Sequence, residues 1–445
     1  MMAGRWSMVG ALALGIMLAR QKAAAQVAPA DQRWVQAAET FVRRLQRGAF
    51  DSAAATVSRA VPAGALNADR LRQIWTQLST AAGTLTTLRA ERVTLQDTMH
   101  VVDLAAAFER QALTIRVVFM PDTTLGGLWF LPPTPPAWSP PDYADAAAFD
   151  EIDVRIGAEP WVLPGTLTLP RGDARVPVVV LVHGSGPHDR DETIGPNRPF
   201  KDIAWGLASR GIAVLRYDKR TLVHARRMDK SLRVKAEVVD DALAALAAAR
   251  SNPRIDSTRV FLAGHSLGGM MAPDIARQDS ALAGLILLAA PARHFQDVVR
   301  DQMAYVESLP GTDAATRASL EAVLDTLDLL DLHKLPDTTV VMGAPAGYYY
   351  DLDRYDPVAV LAAIDIPVLL LQGGRDYQVT HADYSEWTAA FRARPGFKAD
   401  ELPSLNHLFM EGNGPSTPAD YGAPGHVSNA LIRGIVQWIT GLSGG

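Results

Sequence analysis

The sequence predicts a doubly wound α/β domain with a mostly parallel sheet, carrying a helical cap insertion and preceded by a small α+β domain. Three observations predict it. First, continuous apolar runs such as Val178–Val182, Leu285–Ala289 and Val368–Leu371 alternate with helical stretches. Runs of that kind are strands buried on both faces, as in a parallel sheet. Second, one such run, from Val260, drives into Gly264-His265-Ser266-Leu267-Gly268-Gly269, and a helix-like stretch follows at once. Third, the first third of the chain changes period from helical to alternating and then ends in prolines.

Composition limits the function classes. Hydrophobic content of 48% and charged content of 20% are those of an ordinary globular protein. A net charge of −5 offers no basic excess for nucleic acid. With 0 cysteines the chain has no disulfide framework, cysteine nucleophile, thiolate metal site or lipidated cysteine. Met1 to Gln26 reads as a signal peptide (residues 1–25): Arg5 is the positive start, Met8–Ala19 the short apolar run, and Ala23-Ala24-Ala25 the small-residue cleavage pattern. That run falls short of the about 20 residues a bilayer span needs, and no later run reaches that length. The expectation is an exported protein, periplasmic or secreted, with no membrane span in the mature chain.

The small α+β domain is expected over residues 27–131. Trp34, Ala38, Phe41, Val42 and Leu45 recur at helical spacing, as do Leu71, Ile74, Trp75 and Leu78. After Gly83, Val102, Leu104, Ala106 and Phe108 alternate, and so do Leu113, Ile115, Val117 and Phe119, which predicts antiparallel strands with one buried face. His100 is expected in a turn. Pro132, Pro133, Pro135, Pro136, Pro140 and Pro141 make residues 132–145 a stiff linker, which Trp138 is expected to pin to a domain surface.

Residues 146–445 carry the repeated βα units. An opening hairpin is expected near Ile152–Ile156 and Gly165–Leu169, then strands at Val178–Val182, Ile212–Leu215 and Arg259–Ala263, with helices at Pro199–Ser209 and Val238–Ala249. A last short strand (Phe397–Leu402) and a last helix (Val427–Ile439) close the domain. About seventy residues separate the strands at Leu285 and Val368, too many for a plain connection. They are expected to form a cap over about 294–362, with a helix at Thr316–Leu330 and Tyr349 and Tyr350 lining the substrate space.

The pattern around Ser266 is that of a nucleophile elbow, in which a strand turns sharply into a helix and exposes the hydroxyl. A serine needs a base, and the base needs a partner that fixes its tautomer. Chain order in this architecture is Ser, then acid, then His. Asp376 follows the strand at Val368 and so lies on the same rim as Ser266. Of the three histidines beyond that strand, His381 enters the next helix and His426 starts the last one, whereas His407 lies on the loop before it. The predicted triad is Ser266, Asp376 and His407. The oxyanion hole is expected from the backbone N–H groups of Leu267 and Ser185, with Gly186 as the alternative to Ser185. His183 precedes the nucleophile and is read as structural. Arg216-Tyr217-Asp218-Lys219-Arg220 is read as a salt-bridged loop rather than an anion site, and Asp189-Arg190-Asp191-Glu192 as a solvated or ion-paired loop rather than a metal site.

The segments His183-Gly184-Ser185-Gly186-Pro187 with Gly195–Phe200, Leu215–Arg220, Gly264–Gly269 and Gln372–Val379 resemble, in that order, those of bacterial α/β-hydrolase esterases, some of which carry a similar small N-terminal domain. The resemblance implies the α/β-hydrolase fold and a carboxylesterase-type serine hydrolase with Ser266, Asp376 and His407 as triad, acting on a small-molecule acyl ester without cofactor or metal. A peptidase or aminopeptidase, or a thioesterase, on the same fold is the alternative within the chemistry. A non-catalytic binding protein is the alternative outside it.

Overall fold

The computed structural model describes residues 31–442 apart from 63, 132, 134–137 and 229. The export segment and Pro132, Pro135 and Pro136 lie outside the described residues. The chain divides into two compact units, the second of which includes everything from Trp138 onward.

The first unit packs three helices on one face of a four-stranded antiparallel sheet. The helices are α1 (Gln32–Gln46), α2 (Phe50–Ala54) and α3 (Ala68–Ala82). The strands β1 (Leu85–Gln96), β2 (Met99–Phe108), β3 (Ala112–Phe119) and β4 (Leu125–Leu131) lie in the order β1-β2-β3-β4. α1 buries the five residues its spacing singles out. They meet Val102, Leu104, Ile115 and Val117 from the sheet in one core. The sequence reading did not resolve β1, because register shifts between Leu85 and Thr87 and between Ala90 and Arg92 break its alternation. His100 is not in a turn. It is the second residue of β2, opposite Phe119, with its ring stacked on Trp34 at 4.0 Å. The hairpin turn is shorter than expected and ends at Thr98.

The second unit starts with the antiparallel pair β5 (Phe149–Ile156) and β6 (Leu163–Pro170), then β7 (Val176–Val182), α4 (Pro199–Ala208), β8 (Ala213–Tyr217) and a single helical turn, α5 (Arg220–Val223). A π-helical turn (Lys235–Asp240) runs into α6 (Asp241–Ser251), followed by β9 (Ile255–His265), α7 (Leu267–Gln278) and β10 (Gly284–Leu288). The insertion holds α8 (Phe295–Ser308), α9 (Ala314–Asp331), a two-residue ribbon β11 (Val340–Val341) and β12 (Ala344–Pro345), α10 (Ala346–Asp353) and α11 (Pro357–Ala362). β13 (Val368–Gly373), α12 (His381–Phe391), β14 (Phe397–Leu402) and α13 (Asn429–Gly441) complete the chain.

The large sheet runs β14-β13-β10-β9-β7-β8-β6-β5, and only β6 points against the rest. Its central strands β13, β10, β7 and β8 are buried on both faces, whereas the edge strands β5 and β14 are largely exposed or half-buried. In β7, Val178, Val180 and Val182 enter the core beneath α6 and α7, whereas Val179 and Leu181 enter the core beneath α4 and α13. Side chains of a strand alternate between faces, so one apolar run serves two cores. The chain leaves β7 for β8 on one side and returns to β9 on the other. The loops after β7, β9, β13 and β14 therefore all open at the carboxyl edge, where ligands bind in such sheets.

Trp138 holds the start of this unit to α4: its indole N–H donates to Asp202 Oδ1 at 2.8 Å and its ring lies edge-on to Trp205. The two charged loops pair with each other. Arg190 meets Asp218, and the buried Arg216 guanidinium meets Asp191 and Glu151. Arg216→Ala would remove the shared cation from the half-buried Asp191 and the partly exposed Glu151. The expected loss is about 3 kcal/mol of unfolding free energy in urea, and a change below about 1 kcal/mol would mean that solvent already screens the pair. Among the described residues no helix is long and apolar enough to cross a membrane.

Candidate active site

Ser266 follows β9 directly and caps α7 with φ 51° and ψ −120°, a conformation that costs a non-glycine residue about 1–3 kcal/mol. Two backbone bonds hold it there, its N–H to Leu288 O and its C=O from Met270 N–H, both at 2.9 Å. The turn is so tight that a Cβ on Gly264 would lie 2.2 Å from Gly268 O, and one on Gly268 would lie 2.3 Å from Val182 O. The glycines at these places are thus a packing requirement, and the half-buried serine stands at the rim.

Asp376 reaches the same rim three residues beyond β13. The sheet register sets it there, because His265 in β9 and Leu371 in β13 both pair with Leu288 of β10. The buried Asp376 carboxylate accepts from Gln378 N–H at 2.8 Å, Val379 N–H at 3.0 Å and Gln372 Nε2 at 3.2 Å. Its Oδ2 also lies 2.7 Å from Nδ1 of His407. A carboxylate only accepts, so Nδ1 carries the proton and Nε2 is left as the acceptor. Asn406 shapes the loop that presents His407: its side-chain oxygen accepts from Leu408 N–H at 3.0 Å and Met410 N–H at 3.1 Å.

The other two late histidines are engaged elsewhere. His381 Nδ1 meets Glu401 at 2.9 Å on the surface, and His426 Nδ1 meets Asp202 at 3.2 Å. His426 precedes α13 rather than starting it, since Ser428 is the cap.

The loop after β7 supplies backbone donors. Gly184 N–H is taken by Glu192 Oε1 at 2.7 Å, and Gly184 C=O accepts from the Lys219 ammonium at 2.9 Å. The Ser185 carbonyl accepts from His188 Nε2 at 2.7 Å. Among the described residues the N–H groups of Ser185, Gly186 and Leu267 have no protein acceptor. Leu267 is the first residue of α7, where helix geometry leaves N–H groups unpaired and the dipole favours negative charge. His183 is buried, donates Nε2–H to Asp189 O at 3.0 Å, and burial drives its pKa down to about 3. It is a neutral structural group at any working pH.

A family model described as the Alpha/beta hydrolase family matches residues 179–421. The chain is also 38% identical over 405 residues, 91% of its length and 95% of the other's, to Esterase EstD of Thermotoga maritima. This chain belongs to the alpha/beta hydrolase family. A second model, described as a protein of unknown function, matches residues 38–128 of the small unit. Among solved structures, an esterase of Pyrococcus furiosus aligns over 70% of this hydrolase and 98% of itself, with TM-score 0.43 and 16% identity. A puromycin-hydrolyzing peptidase of Mycobacterium tuberculosis aligns over 80% and 48%, with TM-score 0.46 and 17% identity.

The insertion of this hydrolase touches the loops that carry the site. Tyr305 of α8 donates to Ser416 O at 2.8 Å and, with Asp376 and Tyr377, lines an open cavity of about 650 Å³. Tyr348 of α10 donates to the buried Glu237 at 2.6 Å, and Glu237 lies 3.3 Å from Lys219. Tyr349 and Tyr350 lie buried, with hydroxyls given to Met342 O at 3.0 Å and Leu335 O at 2.8 Å. Neither offers a free hydroxyl to a ligand. The reading from sequence put the segment of Lys219 on the rim and His265 in the elbow, but missed the pairing of His265 with Glu192 and of Lys219 with Glu237. For Glu192 and Lys219 the signal was a density of charge in two short loops, which does not say who meets whom; Glu237 carried none.

Proposed function

We propose that this hydrolase is a serine carboxylesterase that works through an acyl-enzyme. Ser266 Oγ attacks the ester carbonyl while His407 Nε2 takes its proton, and Asp376 holds the imidazole and balances its charge. The oxyanion accepts from the N–H groups of Leu267 and Ser185. His407 then protonates the departing alcohol, leaving the acyl group on Ser266. A water gives its proton to His407 and attacks the acyl carbon; the acid departs and Ser266 regains its proton. The observation that carries this reading is the buried Asp376–His407 bond, which leaves Nε2 unclaimed on a loop bonded to the residue before Ser266. Likeness to a protein named an esterase favours esters over amides.

A fluorophosphonate probe is expected to modify Ser266 alone, as read by peptide mass mapping, and an ester, thioester and aminoacyl-amide panel to give its highest kcat/KM on esters. Failure of the probe to attach would remove the serine mechanism, and faster amide cleavage would make the enzyme a peptidase. Export follows from residues 1–25 in this reading. A mature chain starting near Gln26 in the periplasmic or culture fraction is the expected result, and an intact Met1 in the cytoplasm is the contrary one.

A further inference from the structure

Directly beneath Ser266 lies a pair of charged groups that the acyl-transfer steps do not use. His265 and Glu192 are 5% and 1% exposed. His265 Nε2 lies 3.0 Å from the carbonyl oxygen of His407, and its Nδ1 lies 3.0 Å from Glu192 Oε2. The other Glu192 oxygen accepts from Gly184 N–H at 2.7 Å. The two imidazoles stand with ring centres 4.7 Å apart.

A carbonyl can only accept, so His265 Nε2 bears hydrogen. A bare lone pair on Nδ1 would be repelled by an ionised Glu192 oxygen, so an ionised Glu192 favours a hydrogen on Nδ1 as well. The Glu192 carboxylate 3.0 Å from Nδ1 favours the imidazolium form of His265. Burial works against this charge, but the Glu192 carboxylate outweighs it and raises the His265 pKa. Burial likewise pushes Glu192 upward, and His265 outweighs it and holds the carboxyl at about 2.

A buried ion pair is a weak device for stability, because desolvation consumes most of its attraction. Its product here is a fixed geometry. The pair ties together three segments distant in sequence: the elbow after β9, the loop after β7 that offers the Ser185 N–H, and the loop after β14 that carries His407. We propose that Glu192 and His265 are positioning residues that set the distances from Ser266 to its base and to its oxyanion donor. The inference rests on the acyl-transfer reading above, and concerns how that site is held.

Two substitutions separate geometry from charge. In Glu192→Gln the amide oxygen keeps the Gly184 bond, the amide N–H meets Nδ1 of a neutral His265, and His265 keeps its bond to His407. Every connection survives without charge. Glu192→Asp keeps the charge but withdraws it by one carbon–carbon bond, about 1.5 Å, so it cannot reach both partners. With kcat and KM taken on a short p-nitrophenyl ester and corrected to the folded fraction, Glu192→Gln is expected to stay within about three-fold of the unmodified enzyme. Glu192→Asp is expected to lose about 10- to 100-fold in kcat with KM moved less than about three-fold. A merely structural role would lower the unfolding temperature and leave kcat per folded molecule unchanged, which overturns the proposal. Glu192→Gln falling as far as Glu192→Asp overturns it also, because charge and not position would then matter. Ser266→Ala, assayed alongside, keeps the two readings apart. An active Ser266→Ala removes the esterase mechanism, and an inactive one with a fully active Glu192→Asp removes only the positioning pair.

Discussion

His407→Ala is expected to lower kcat on a short p-nitrophenyl ester about 10⁴- to 10⁶-fold, with KM and unfolding temperature little changed. The size follows from the absence of a substitute. In the proposed mechanism, loss of the imidazole forces Ser266 to release its proton to water and the leaving alcohol to depart as an alkoxide. No other histidine near the rim can take over. His265 has its Nε2 on the His407 carbonyl and its Nδ1 against Glu192. His426 is held by Asp202, and His381 lies on the surface against Glu401. His426→Ala is accordingly expected to leave kcat within about three-fold. The measurement is steady-state hydrolysis of the two variants side by side, with fluorophosphonate labelling as a second readout. A large loss at His426 and none at His407 would move the base to the other loop and break the link to Asp376.

What was legible in the sequence followed strong, local physics. Runs buried on both faces, such as Val178–Val182, can be little other than central strands. The glycines around Ser266 mark a turn that admits no Cβ. Chain order narrowed the proposed acid and base to residues after β13. Asp376 and His407, picked in that way, lie 2.7 Å apart. What was not legible depended on distance in sequence or on cancelled patterns. β1 hid behind two register shifts. Glu192 and His265 are separated by α4, β8, α5, α6 and nearly all of β9, and neither carries a spacing that announces the other. Tyr349 and Tyr350 looked like lining because aromatic clusters near a rim invite it. Their hydroxyls are instead spent closing the insertion on itself. A tyrosine triplet reads the same in sequence whether it faces a ligand or its own backbone.

Gly268→Ala is expected to destabilise the second unit by more than about 4 kcal/mol, and to reduce soluble yield sharply. The Cβ would sit 2.3 Å from Val182 O and 2.7 Å from His183 O. Both obstacles are main chain at the carboxyl end of β7, so no side-chain rotation relieves the clash, and either α7 or the end of β7 must shift by on the order of 1 Å. The end of β7 runs straight into Gly184 and Ser185. The same shift therefore moves a predicted oxyanion donor away from Ser266, and any folded residue of the variant should have lost most of its kcat. Gly434→Ala is the matched control: it lies inside α13, a Cβ there meets nothing within 4 Å, and it should gain up to about 1 kcal/mol through the unfolded chain. Urea unfolding of the two variants beside the unmodified enzyme measures both signs. If Gly268→Ala unfolded at the unmodified midpoint with full activity, the close approach of β7 to α7 would not be what holds the elbow in shape, and the strain at Ser266 would have to be supported from the β10 side through its bond to Leu288.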